Sequence, residues 1–124
     1  MPIKYEIDPS RRLILTTADG VLTDTDVIGH KKALIADPAF QPGMLELSDV
    51  RDVNQLDVTP EGIRVFTSFD RAHDDQPGRL AIVASEDFVF GMARMYQMST
   101  TDDSNVGVFR SMEEAKEWLG VDGT

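Results

Sequence analysis

From Ile3 onward the chain switches repeatedly between two hydrophobic periods, and no other feature limits its fold as tightly. Ile3 to Asp8 and Arg12 to Ala18 are short runs of strand character. Between them, Asp8-Pro9-Ser10-Arg11 has turn chemistry, so the two runs are expected to form a hairpin. After Gly20, Thr23-Asp24-Thr25-Asp26 has the form of a capping box. Val27, Ile28, Leu34 and Ile35 then share one helical face as far as Pro38. Met44 to Leu47 reads as a strand, and Thr59-Pro60 opens a helix carrying Ile63, Val65, Phe66 and Phe69. Arg79 to Ala84 is a compact apolar run of the kind buried on both faces of a parallel sheet. Ser85 is expected to cap a helix running to about Thr100, and Val106 to Phe109 makes a last strand. Ser111-Met112-Glu113-Glu114 is a second capping box, before a helix with Ala115, Trp118 and Leu119 that Gly120 stops. Two strands followed by helix and strand in turn, ending on a helix, predict an α/β fold. Its N-terminal hairpin joins a mostly parallel sheet of about five strands with four helices and right-handed crossovers.

A chain of 124 residues has the size of one ordinary domain, so residues 1–124 are expected to form a single unit with a real core. Hydrophobic residues make up 41% and charged residues 27%, which excludes both a disordered chain and a bilayer-spanning segment. The start, MPIKYEID, lacks the pattern of a secretory signal, and a cytoplasmic location is expected. With no cysteine there is no disulfide, zinc–thiolate site or thiol nucleophile. A formal net charge of −10 repels nucleic-acid backbones and anionic lipid, leaving a protein partner or a neutral ligand as the expected partner class.

No catalytic constellation stands out. The predicted helix starts carry Asp24, Asp26, Glu61, Glu86, Asp87, Glu113 and Glu114, which occupy the favourable end of each dipole, and no glycine-rich loop brings amides toward a phosphate. Nucleotide binding is therefore not expected. His73-Asp74-Asp75 reads as a solvated loop rather than a metal cluster. His30 borders the first helix's apolar stripe with no nucleophile elbow to serve, and reads as a surface or partly packed histidine. Lys31 falls in the middle of the face that should be buried. A snorkelling stem is the favoured reading, and a cation facing a polar cavity under the helix is the sharper one. No catalytic residue, metal or cofactor is assigned, and the chain is not expected to be an enzyme.

Leu45-Glu46-Leu47-Ser48-Asp49-Val50, followed by Leu56-Asp57-Val58-Thr59-Pro60-Glu61-Gly62-Ile63, is similar to the strand-loop-helix of STAS domains. These form the sulphate transporter and anti-sigma-factor antagonist superfamily. Phe90-Gly91-Met92-Ala93-Arg94-Met95-Tyr96 resembles a stretch of its SpoIIAA-like branch, and the likeness covers nearly the whole chain. Relative to that pattern, Arg51 to Gln55 are expected to lengthen the loop, Val58 stands where a hydroxyl is common, and Pro60 replaces a glycine. The resemblance implies a regulatory module that docks a protein partner, an anti-sigma factor or a kinase. By position, Thr59 would be its phosphorylated switch, and Asp49, Asp52, Asp57, Thr59 and Arg64 its docking residues. A second implied reading, through the related Sec14-type carriers, is a binding protein for a small apolar or lipid-like ligand.

Two residue-level expectations bear on these readings. A threonine before proline at a helix start is what a plain N-cap looks like, and a phosphate on Thr59 would meet Asp49, Asp52, Asp57 and Glu61, so the cap is the favoured role. The helix after Ser85 carries apolar residues on more than one face. Phe88, Met92, Met95 and Tyr96 are expected to line a pocket against the first helix, and Phe90 and Met98 to be left over for a homodimer face.

Overall fold

The N-terminal hairpin turns around the carboxylate of Asp8, which accepts hydrogen bonds from the Ser10 amide (3.1 Å), the Ser10 hydroxyl (2.7 Å) and Arg11 Nε (2.7 Å). A computed structural model of the chain describes residues 2–72, 78–99 and 105–121. Its strands are β1 (Ile3–Asp8), β2 (Leu13–Thr23), β3 (Leu45–Asp57), β4 (Leu80–Val83) and β5 (Val106–Phe109). Its helices are α1 (Asp24–Ala36), α2 (Pro60–Ala72), α3 (Asp87–Ser99) and α4 (Met112–Leu119). The strands form one sheet in the order β1-β2-β3-β4-β5, antiparallel between β1 and β2 and parallel elsewhere. This is the single α/β domain that the alternation of periods predicts.

Sequential strand order with crossovers of one hand puts every connecting helix on the same face of the sheet. Accordingly α1, α2 and α3 form a contiguous layer on one face, and α4, which follows the last strand, covers β3, β4 and β5 from the other. The short apolar strand β4 divides its side chains between the two layers. Ala81 and Val83 join Leu13, Leu47, Ala115 and Leu119 under α4, while Ile82 packs with Ile63, Ala93 and Tyr96 under α2 and α3. Each fully buried branched side chain in these clusters contributes about 1.5–3 kcal/mol.

Local hydrogen bonds set most element ends. Thr23 Oγ1 accepts from the Asp26 amide at 3.2 Å while Asp26 Oδ2 accepts from the Thr23 amide at 3.0 Å, completing the box at the start of α1. That helix ends at Asp37, whose extended backbone (φ −72°, ψ 128°) suits the residue before a proline. Ser111 caps α4 by accepting from the Glu114 amide, and Gly120 closes it in the left-handed conformation (φ 78°) that a side chain would disfavour.

Two expectations need correction. The residues Arg51 to Gln55 are not a loop: β3 runs unbroken to Asp57, because β2 continues past Ala18 to Thr23 and carries the parallel ladder with it through Val53, Gln55 and Leu56. Register shifts near Asp19 and Gly20 absorb the irregularity, and Val53 is almost completely buried against Ala18, Leu22, Ala84 and Val89. Ser85 stands two residues before α3, and its hydroxyl donates to the carbonyl of Arg51 at 3.0 Å, so it ties β3 to the segment after β4. The His73-Asp74-Asp75 stretch lies outside the described residues.

Candidate functional site

A cavity of about 140 Å³ lies between the sheet and the layer of α1, α2 and α3. Alternation along the strands supplies its floor: Thr16, Ala18 and Leu22 from β2, Glu46, Ser48 and Val50 from β3, and Leu80 and Ile82 from β4. Helical spacing supplies the roof, with Val27, His30 and Lys31 from α1, Ile63 and Phe66 from α2, and Val89, Met92, Ala93 and Tyr96 from α3. Phe66 and Tyr96 meet edge to face, 5.1 Å between ring centroids, and so brace α2 against α3 over the space.

The cavity is apolar except at one end. There the Glu46 carboxylate accepts the Thr16 hydroxyl at 2.7 Å through Oε2, and His30 Nε2 stands 3.4 Å from the same oxygen. The His30 and Glu46 side chains are 9% and 16% exposed. Burial pushes the Glu46 carboxyl up, but the hydrogen bond from His30, the fields of His30 and Lys31 and the Thr16 hydroxyl together hold it below its usual range. Lys31 lines the same cavity with its ammonium 5.0 Å from the centroid of the Phe66 ring. The His30 ring is held edge-on by Tyr5, whose hydroxyl donates to Asp37 Oδ2 at 2.8 Å. The lysine in the middle of the apolar stripe therefore faces a cavity whose polar end includes a mostly covered carboxylate.

Glu46 and Thr16 were not legible as site residues. In Leu45-Glu46-Leu47 a glutamate between two leucines looks like the solvent side of an alternating strand. Because helices cover both faces of this sheet, Leu47 is buried under α4 on one face, and Glu46, on the other, lies mostly covered beside α1. The available signal was a carboxylate inside a strand of a mostly parallel sheet, a class of sheet that helices cover on both faces.

The residues singled out around Thr59 lie on a different edge, where α1 and α2 begin. Thr59 Oγ1 accepts from the Gly62 amide at 3.0 Å, the geometry of an N-cap, and donates to Asp24 Oδ2 at 2.6 Å; the Thr59 amide donates to Asp24 Oδ1 at 2.8 Å. The Thr59 hydroxyl and then its amide hold the Asp24 carboxyl below its usual range. A phosphoryl group on Oγ1 would replace the donated proton and set a second anion on Asp24. Asp49 is paired with Arg51, accepting from its Nε (2.9 Å) and Nη2 (2.8 Å). Asp52 and Asp57 are exposed on β3, and Arg64 is exposed on α2 beside Glu61 at 3.1 Å.

The apolar residues of α3 divide differently from expectation. Met92 and Tyr96 line the cavity, whereas Phe88 and Met95 are 47% and 43% exposed and point away from it. Met98 is 69% exposed, as expected of a residue left over from the core. Phe90 is not left over: it packs beside Ala18, Val53 and Val89, and the Arg110 guanidinium covers its ring at 4.1 Å while bonding Asp87 and the Ser85 carbonyl. Among the described residues no group of three or more acidic or histidine side chains is arranged to hold a metal, and no helix is long and apolar enough to cross a membrane.

No known family model matches the chain, and no curated protein matches it in sequence. Solved structures do match. An uncharacterised protein of the DUF3478 family with a SpoIIAA-like fold, from Shewanella loihica PV-4, is 19% identical over 94% of this chain and 93% of that chain, with a TM-score of 0.62. An anti-sigma factor antagonist from Mycobacterium paratuberculosis is 13% identical over 95% and 94%, with a TM-score of 0.63. The anti-sigma factor antagonist SpoIIAA in its unphosphorylated form is 13% identical over 90% and 91%, with a TM-score of 0.56. At such identities the likeness is one of architecture, and by it this chain has the SpoIIAA-like fold.

Proposed function

We propose that the chain is a non-enzymatic STAS-like regulatory module that docks a protein partner of the anti-sigma-factor or kinase type. The observation that carries this reading is the likeness, over 95% and 90% of its length, to two proteins described as anti-sigma factor antagonists. The docking edge is the end of β3 with the start of α2, where Asp52, Asp57, Thr59 and Arg64 are exposed and Asp49 sits beside them, paired with Arg51. Its largely acidic character selects a basic patch on the partner. Thr59 acts there chiefly as a cap, and its hydroxyl is already committed to Asp24 and Gly62.

Affinity capture from the host of origin tests this. The wild type and Thr59→Ser are expected to retain one protein that the charge reversal Asp57→Lys loses. Thr59→Ala, which costs about 1 kcal/mol as a lost cap, should still retain it. A retained set that is the same for wild type and Asp57→Lys would place docking elsewhere. Loss of the partner on Thr59→Glu but not on Thr59→Ala, together with phosphothreonine at that position, would make Thr59 a switch instead of a cap.

The cavity favours a second reading, a binding protein for a small apolar molecule, with Met92 and Tyr96 among the residues that touch it. Native mass spectrometry of the chain purified from its host should then record a small added mass. Its absence, alongside a captured protein, would leave the regulatory module standing by itself.

A further inference from the structure

We propose that the cavity selects a small neutral molecule, one six-membered ring in size, that carries a single hydrogen-bond donor and places that donor on the free side of Glu46. The proposal rests on the second reading above and gives it a chemistry.

Size comes first. An apolar cavity of about 150 Å³ holds a benzene molecule, and the space here is about 140 Å³. One ring with one small substituent fits it. The space opens to solvent on one side, so a longer molecule would seat only a ring-sized part of itself between the sheet and the helices.

Polarity comes second, and it has a direction. In the parallel register of β2 with β3, Thr16 stands opposite Ser48, with Glu46 two residues earlier on the same face, so the polar groups gather toward the start of these strands. Ala18, Leu22 and Leu56 lie further along the same strands and line the cavity with hydrocarbon. Both contacts of the Glu46 carboxylate, from Thr16 and from His30, fall on Oε2. No buried side-chain oxygen or nitrogen among the described residues lacks a partner, so Oε1, which accepts no hydrogen bond from them, borders open space. An ionised carboxylate only accepts. The complementary group is therefore a donor, a hydroxyl or an amide-like N–H.

Charge comes third. Glu46 already faces His30 and Lys31, and an added ion would leave water for a mostly hydrocarbon surface without a fresh counter-charge. The occupant is neutral. Water finds polar partners only at the Glu46 end, and over the hydrocarbon lining beyond it each molecule lacks the two to four it needs, so an apolar ring displaces it there.

Phenol and toluene differ by a hydroxyl in place of a methyl and match the cavity in size, so they form the test pair. In titrations of the whole chain followed by the Met92 methyl resonance, phenol is expected to bind at least tenfold more tightly than toluene. Nuclear Overhauser contacts should run from its ring protons to the Met92 and Ile82 methyls. Glu46→Leu is expected to erase or reverse the preference. Where that variant does not fold, the wild-type ratio and the Overhauser contacts decide by themselves. Equal binding of phenol and toluene overturns the donor selection and leaves the apolar-ligand reading intact. Tighter binding of benzoate than of phenol overturns it too, by making the site cationic. If none of the three perturbs Met92 at millimolar concentration, the proposal and the reading beneath it both fail.

Discussion

Filling the cavity from α3 should stabilise the protein. Ala93 is buried, lines the cavity and sits on the face of α3 that points at the sheet, so Ala93→Leu adds three carbons into the open space. A volume of about 140 Å³ comes close to what accommodates the six carbons of benzene, which leaves room for the addition without displacing Ile82 or Tyr96. At about 0.8 kcal/mol per buried carbon group the transfer gain is roughly 2 kcal/mol. Fixing the leucine rotamer removes about 0.5–1 kcal/mol, and helix propensity hardly changes between alanine and leucine. The expected net effect is a stabilisation of about 1–1.5 kcal/mol. For 124 residues, with an unfolding entropy near 2.1 cal/mol/K per residue, this raises Tm by about 4–6 °C. Urea titrations monitored by far-UV circular dichroism measure the change, with an unaltered slope showing that the unfolding transition itself is the same. The variant should also lose phenol binding. Destabilisation of 1 kcal/mol or more would mean that the added carbons collide with the lining, and the account of an open space under α3 would be wrong.

Two other outcomes follow from polar contacts. A Cβ at Gly62 would collide with the Asp24 carboxylate, which must then leave the Thr59 hydroxyl and amide. Gly62→Ala should accordingly be unfavourable in the wild type yet stabilise by up to about 1 kcal/mol, the helix-propensity gain, in an Asp24→Ala background. The same sign in both backgrounds would refute the contact. The Asp8 carboxyl is lowered to about 2, first by the Ser10 hydroxyl and then by Arg11. A depressed folded-state value contributes stability that is complete above the ordinary carboxylate range and lost as pH falls through about 2. An NMR titration of Asp8 with a midpoint in the ordinary carboxylate range would remove that contribution.

What the sequence determined unaided is the set of features that depend on neighbours three or four residues apart. The box at Thr23, the N-cap at Ser111, the hairpin at Asp8, the stop at Gly120 and the alternation that makes the sheet parallel are all local, and each forms as its spacing predicts, except that at Ser111 the Glu114 carboxylate takes the serine hydroxyl and not the backbone amide that would complete a box. With strand and helix alternating, sequential order and handedness leave few ways to arrange the layers.

Tertiary structure decided the rest, because it turns on partners far apart in the chain. The length of β3 follows from how far β2 continues beside it, and nothing between Asp49 and Thr59 records that length. Asp24 clasps Thr59 from 35 positions away, and Arg110 covers Phe90 on a helix two elements earlier, so neither residue's exposure could be read from helical spacing. Glu46 is the sharpest case. Alternation says which side chains share its face, but only the packing of α1, α2 and α3 on that face turned it from a solvent-side glutamate into a mostly covered carboxylate at the end of a cavity. A strand's period assigns residues to two faces; whether a face meets water or a layer of helices is a property of the whole fold.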